Sequence, residues 1–213
     1  LLSEWLASGH QPAAWVVLDK GDNEPARFWA YVHAALQIAL ASTGSSLPEI
    51  PPGEMFLTDL INAVDTLHQP LILVLDDYHT IETQAIHDGL AYLLEFAPTH
   101  FHLVLSTRAD PPLPLAKLRA RSDLIEIRQA DLCFTAQEAW GFLNHTMDVP
   151  VSDEDAARIT DRTEGWIAGL QMAAISMRGA GNLSAFIDML SGSHHYIFDY
   201  LLEEILNNQP LET

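Results

Sequence analysis

A doubly wound α/β layer followed by an all-helical domain is the architecture that this 213-residue chain predicts. The apolar run LILVL (residues 71–75) shows no polar alternation, as expected of a parallel strand covered on both faces, and FHLVL (101–105) reads as a second buried strand. Segments with helical periodicity lie between them and the β-branched, aromatic stretch AAWVVLD (13–19), and strand alternating with helix is the rhythm of an α/β layer. After Arg128 the pattern turns helical throughout.

In chain order, residues 3–8 read as a helix and 13–19 as a buried strand. Asp22 and Asn23 follow, and Pro25 suits the first turn of the next helix, where its missing N–H is no loss. Phe28, Val32, Ala35, Leu36 and Ala39 then form one apolar helical face. ASTGSSLPEIPPGE (41–54) is a loop by its Gly, Ser and Pro content, and MFLTDLINAVDTL (55–67) is a helix leading into the 71–75 strand. A helix over 83–97 keeps Ile86, Leu90, Leu93 and Leu94 in register; PLAKLRAR (114–121) reads as a short helix and LIEIR (124–128) as a further, alternating strand. In the second part, Thr135 with Glu138, and Ser152 with Asp155, carry the spacing of capping boxes. Gly165 ends a helix, and WIAGLQMAAISM, LSAFIDML and YIFDYLLEEIL supply three more. The boundary is expected between residues 1–131 and 132–213.

Composition excludes several classes. No apolar run approaches the ~18 residues of a membrane span, and 48% hydrophobic against 18% charged residues is a globular balance. A net charge of -19 opposes gripping a nucleic-acid backbone through a general field, although Arg108, Lys117, Arg119, Arg121 and Arg128 concentrate half the basic residues in one stretch. Cys133 is the single cysteine, which leaves no disulfide framework and suits a reducing cytoplasm. The chain opens without Met and without a signal-peptide pattern, so it reads as a segment of a longer protein.

The 71–75 strand runs straight into Asp76 and Asp77. A parallel strand ending in carboxylates presents them at the carboxyl edge of the sheet, where open α/β folds bind ligands. The chemistry that uses such a pair is nucleotide hydrolysis, with one carboxylate on Mg²⁺ and a neighbour on the attacking water. The plain alternative is that the two aspartates begin a loop and cap the next helix. LVLSTR (103–108) bears on the choice, because an adjacent parallel strand would bring Arg108 to the same edge, as a phosphate contact or as a salt-bridge partner for Asp76 or Asp77.

Four stretches, AAWVVLDKGDNEPARFWAYVHAAL, LILVLDDYHTI, LVLSTRADPPLPLAKLRARSDLIEIRQADLCFTAQEA and RTEGWIAGLQMAAISMRG, together resemble the ATP-binding region of the large LuxR-type transcriptional regulators, members of the signal-transduction ATPases with numerous domains (STAND). The resemblance implies a P-loop NTPase-type parallel sheet in residues 1–131, a nucleotide-binding domain, followed by a helical domain in 132–213. It further implies that Asp76 is the Mg²⁺ residue of a Walker B strand, Asp77 the water-orienting acid, and Arg108 the phosphate sensor. ATP and Mg²⁺ are the implied cofactors, with self-association in the ATP state, cytoplasmic location, no membrane, and DNA contact through a C-terminal domain outside this chain. Two departures stand out. The glycine-rich phosphate loop ending in Lys-Thr is not among these residues, which reads as truncation ahead of Leu1. The Gly-Leu-Pro of related switch ATPases, with its proline against adenine, corresponds to Gly169-Leu170-Gln171. A non-catalytic interaction module that keeps the fold is the alternative function, and a metal-dependent hydrolase using Asp76 and Asp77 a third.

Other residues favour structural readings. His100 with His102, and His194 with His195, lack the i, i+4 spacing and glutamate of a helical zinc site. His79 is near enough to the acidic pair to reach a phosphate, but belongs first to the loop. No G-x-S-x-G elbow is present. Trp5, Trp15, Trp29, Trp140 and Trp166 are expected mostly in the core, and the basic run 117–128 on a solvated face. Without the amides and lysine that cradle phosphates, this chain by itself is expected to bind ATP weakly or not at all. Titration calorimetry checks this, and micromolar affinity would contradict it.

Overall fold

A computed structural model describes residues 2–9, 11–50, 55–67 and 69–179. The expected helices at 183–190 and 196–206, and the pair His194 and His195, lie outside them. The chain divides into two compact units, Leu1–Leu124 and Ile125–Thr213.

In the first unit, β2 (Leu71–Asp76) is the middle strand of a three-stranded parallel sheet of order β1-β2-β3, flanked by β1 (Ala13–Val17) and β3 (Phe101–Leu105). The register pairs Ala14 with Leu73 and Val16 with Leu75 on one side, and Leu71 with Phe101 and Leu75 with Leu105 on the other. Side chains alternate along a strand, so Leu71, Leu73 and Leu75 share one face with Ala14, Val16 and Phe101, and these belong to one buried cluster. Helix α1 (Leu2–Ser8) buries none of its residues; α2 (Pro25–Ala41), α3 (Phe56–Asp65) and α4 (Gln84–Phe96) supply the rest of the cluster, through Phe28, Val32 and Leu36, Leu60 and Val64, and Ile86, Leu90 and Leu93. Each set falls at helical spacing, as the sequence pattern demands.

The second sheet face is unequal. Ile72 and Val74 are buried, whereas Val17 beside Asp76 is 64% exposed and Trp15 beside Val74 is 36% exposed. The unbroken apolar run therefore reports the central strand correctly and does not extend to its neighbour. Trp29 is the tryptophan of the first core, edge-on to Phe28 at 5.0 Å; Trp5, Trp15 and Trp166 are exposed, contrary to the expectation of core placement. Their amphipathic rings tolerate water on one side.

Residues 124–128 form no strand. Ile125 is 89% and Ile127 62% exposed, because alternation alone makes no strand without a neighbouring ladder among the described residues to pair with. The basic residues before them are neutralised locally: in α5 (Leu115–Arg121), Lys117 and Arg121 both reach Glu95 of α4, at 2.6 and 3.2 Å. Their hydrogen bonds, Lys117 first, hold the Glu95 carboxyl below the usual range.

The second unit contains α6 (Gln129–Leu132), α7 (Ala136–Gly141) continuing as a π-helical turn over Phe142–Thr146, α8 (Asp153–Thr163) and α9 (Ile167–Gly179). Its core joins Ala139, Leu143, Ile159, Leu170 and Ala173. Thr135 and Glu138 form the expected reciprocal capping box. At α8 the Ser152 hydroxyl accepts from Asp155 N, but the Asp155 carboxylate accepts from the Ser152 hydroxyl and not from the Ser152 N–H; aspartate is one methylene shorter than the glutamate of a full box.

Two glycines are fixed by contact. A Cβ on Gly89 of α4 would stand 2.8 Å from Trp29 Cζ2, inside the first core. Gly165, at φ +70, would set a Cβ 2.4 Å from the Phe134 carbonyl oxygen, where the backbone is already tied by Phe134 N donating to Gly165 O at 2.8 Å. Gly89→Ala gains about 1 kcal/mol of helix propensity but overpacks a ring with no room to move, at about 1–3 kcal/mol, so a net loss of stability is expected. Gly165→Ala is expected to be worse, about 3 kcal/mol, since left-handed strain adds to a displaced backbone hydrogen bond. Urea unfolding midpoints check both.

Candidate functional site at the carboxyl edge of the sheet

The parallel register brings the carboxyl ends of all three strands to one edge. Asp76 is the last residue of β2, opposite Val17, and its carbonyl accepts from Leu18 N at 3.0 Å. Asp77 has left the strand: its φ of 57 and ψ of 37 are left-handed, a conformation that aspartate tolerates better than most residues. The two carboxylates are thereby released from strand alternation, the condition under which adjacent aspartates can serve one site. The β3 side is tied in by Ser106, whose N–H donates to Leu75 O at 3.1 Å and whose carbonyl accepts from Tyr78 N at 2.9 Å.

Asp76 Oδ1 accepts from Asp77 N at 3.2 Å, and Asp77 Oδ1 lies 3.8 Å from His79 Nδ1 in the 3-10 turn Tyr78–Thr80. Among the described residues no lysine or arginine pairs with either carboxylate. Arg108 lies three residues beyond the end of β3, exposed, and among the described residues forms no salt bridge with Asp76 or Asp77. The structural alternative weighed for it, an ion pair with these aspartates, is therefore not what the arrangement shows. Nor does Asp77 cap a helix through its side chain.

The acids after β1 are occupied differently. Asp19 Oδ1 accepts from Gly21 N at 2.6 Å, Asp22 Oδ2 accepts from Asp19 N at 3.0 Å, and Arg27 Nε sits 3.2 Å from Asp22 Oδ1. They build a turn, while among the described residues Asp76 and Asp77 keep carboxylate oxygens free of lysine and arginine partners. Among the described residues no three His, Cys, Asp or Glu converge as a metal cage. One or two carboxylates at an open edge suit Mg²⁺, which takes few protein ligands and completes its shell with water and phosphate oxygens.

Residues that sequence reasoning did not single out hold this edge in shape. Tyr78, buried, meets buried His87 of α4, with Tyr78 Oη 2.6 Å from His87 Nδ1. Burial pushes the Tyr78 phenol above its ordinary range and the His87 imidazole below it, the latter against the opposing pull of Asp88; both groups are thus neutral partners. Asn23 bonds the segment that follows Thr80. A polar side chain inside an apolar helix face, as His87 is between Ile86 and Leu90, was the one available signal. In the second unit, Leu170 is fully buried, and a Cβ on Gly169 would meet Thr163 at 3.1 Å, so this part of the Gly-Leu-Gln motif serves packing.

A parallel sheet with helices packed on it and acids at its carboxyl edge is an open α/β fold with carboxylates where such folds bind ligands. That fold is shared: the chain superposes on the Walker-type ATPase PABY2304 of Pyrococcus abyssi with a TM-score of 0.55, covering 98% of this chain and 67% of that one at 13% identity. Its sequence relatives are more particular. Over its whole length the chain is 35% identical to the HTH-type transcriptional regulator MalT of Serratia proteamaculans and, equally, to that of Cronobacter sakazakii. It spans 24% of the length of each of these curated relatives. The resemblance to the large LuxR-type regulators, first seen in four motif stretches, thus runs through the entire chain. No protein-family model matches it.

Tyr78→Phe should destabilise the first unit by about 1–3 kcal/mol, since it strands the buried His87 nitrogen. Unfolding returns His87 to its ordinary value of 6.5, so the unfolded chain protonates first. Its contribution to stability is complete above that pH and is lost as the pH falls below it. Thermal melts of wild type and His87→Gln between pH 8 and pH 5 should therefore converge toward the acid end.

Proposed function

We propose that this chain is the nucleotide-binding and adjoining helical segment of an ATP-dependent, LuxR-type transcriptional regulator, in which slow hydrolysis resets a self-associating ATP state. The observation that carries the reading is the pair Asp76 and Asp77 at the end of the central strand, without a lysine or arginine partner among the described residues, and with Arg108 beyond the end of the neighbouring strand. The identity to MalT-type regulators across the whole chain supports it independently.

In this reading Asp76 would hold Mg²⁺, which would supply charge neutralisation for a bound nucleotide's phosphates. An Asp77 carboxylate oxygen accepts the hydrogen bond of the attacking water and so fixes its direction. The Arg108 guanidinium donates to γ-phosphate oxygens as charge develops there, a task its planar fork suits. DNA contact belongs to a C-terminal domain, in keeping with the net charge of -19 on this segment. The intact protein is cytoplasmic; among the described residues no helix is long and apolar enough to cross a membrane.

The test uses the protein as encoded, with ATP turnover and ATP-dependent assembly measured for Asp76→Asn and Arg108→Ala. A loss of tenfold or more in turnover, on the order expected for removing a charge-stabilising group, is the outcome predicted for each, with Asp76→Asn also raising the Mg²⁺ requirement. Unchanged turnover and assembly in both variants would overturn the roles. ATP binding and assembly without hydrolysis in the wild type would instead establish the non-catalytic interaction module.

A further inference from the structure

Asp77 sits in a left-handed conformation at the start of a short segment, residues 77–83, that must hold its shape if the carboxylate is to keep a direction. The 3-10 turn at its start explains part of this: Thr80 N and Thr80 Oγ1 both donate to Asp77 O, at 3.0 and 2.9 Å. What holds Thr80 is the side chain of Asn23, which closes the 3-10 turn Lys20–Asn23 after β1. Asn23 Nδ2 donates to Thr80 O at 2.9 Å and to Lys20 O at 3.1 Å. Its Oδ1 accepts from Glu82 N at 2.7 Å, from Thr83 N at 3.1 Å and from Thr83 Oγ1 at 3.2 Å, while Asn23 O accepts from Thr83 Oγ1 at 2.7 Å. Only a carboxamide meets this set of partners, because two carbonyls need donors on one side and two amides need an acceptor on the other. Two hydrogen-bonded steps, Asn23 to Thr80 and Thr80 to Asp77, then join the loop after β1 to the acid after β2.

We infer that Asn23 is a positioning residue for Asp77: by clamping Thr80, Glu82 and Thr83 to the loop after β1, it fixes the carboxylate that orients the attacking water. This rests on the Mg-ATP reading given above. The role is distinct from that of Tyr78 and His87, which anchor the same segment to α4 from beneath through a single contact. Among the described residues Asn23 forms no hydrogen bond with Asp76 or with the Asp77 side chain, so it acts on the direction of Asp77 and leaves nucleotide affinity to other groups.

The decisive substitution is Asn23→Asp, which is nearly isosteric, keeps the acceptor toward Glu82 and Thr83, and turns an oxygen toward the carbonyls of Lys20 and Thr80. In the protein as encoded, with ATP and Mg²⁺ as the probe, kcat should fall by about tenfold or more, the usual effect of losing a group that orients a site residue. The Kd for ATP should stay unchanged. Thr83→Val, which removes only the hydroxyl from the clamp, should show a smaller fall in kcat with the same constancy of Kd, and decides the matter alone where Asn23→Asp does not fold. Asp76→Asn runs alongside. Wild-type kcat in both clamp variants, with Asp76→Asn slowed, overturns the positioning role and leaves the Mg-ATP reading intact. A kcat that falls only in step with loss of folded protein and of ATP binding also overturns it, assigning Asn23 to the fold. If Asp76→Asn itself turns over like wild type, the Mg-ATP reading fails and this inference goes with it.

Discussion

Leu71 to Leu75 are hydrogen-bonded to a strand on either side and shut off from water on both faces, and the rest of the first unit depends on that placement. A strand so placed has one admissible register, since a slip by one residue would exchange its two sets of side chains and separate Leu71, Leu73 and Leu75 from α2, α3 and α4. Fixed register means fixed ends. Asp76 must emerge beside Val17, and Ser106 one residue past the pairing of Leu75 with Leu105. The apolar core thus determines where the polar edge lies, at a precision that loops by themselves do not reach.

Past the strand ends, hydrogen bonds replace packing. Each loop at the edge is bound to another: Leu18 to Asp76, Tyr78 to Ser106, and Thr80, Glu82 and Thr83 to Asn23. Buried Tyr78 and His87 add an anchor into α4. A left-handed aspartate persists only where its surroundings over-determine it, and these contacts are the surroundings of Asp77. The acids after β1 are spent on building their own turn, which separates two groups of aspartates that look alike in composition. The second unit relies on different means, chiefly helix caps and the close backbone approach of Phe134 to Gly165.

Much of this was legible in the residues. An apolar run without alternation marked β2, and the run 101–105 marked β3, of which only Phe101 is buried; helical spacing marked α2 and α4, and Thr135 with Glu138 marked the start of α7. The acidic end of β2 and the strand beside it were readable because a parallel sheet collects its carboxyl ends at one edge. Residues 124–128 show where such reading stops: alternation is a property of the segment, but a strand is a property of a pair. Tryptophans misled for a related reason. Their size predicts burial somewhere, and Trp29 found a pocket between Phe28 and Phe56, whereas Trp15 lies on the open sheet face. Asn23, Tyr78 and His87 gave almost no local signal, because their partners stand far away in sequence or on another element.

By itself the sequence determined strands β1 to β3, the helices between them, the class of fold and the acids that end the central strand. These follow from periodicity, propensity and short-range pattern, which each segment carries within itself. Tertiary structure decided that Asp77 leaves the strand while Asp76 closes it, that Arg108 forms no salt bridge with either, and that Asn23 clamps the loop between them and α4. Such contacts join residues up to 60 positions apart, and only the fixed register of a buried strand brings them within hydrogen-bonding distance.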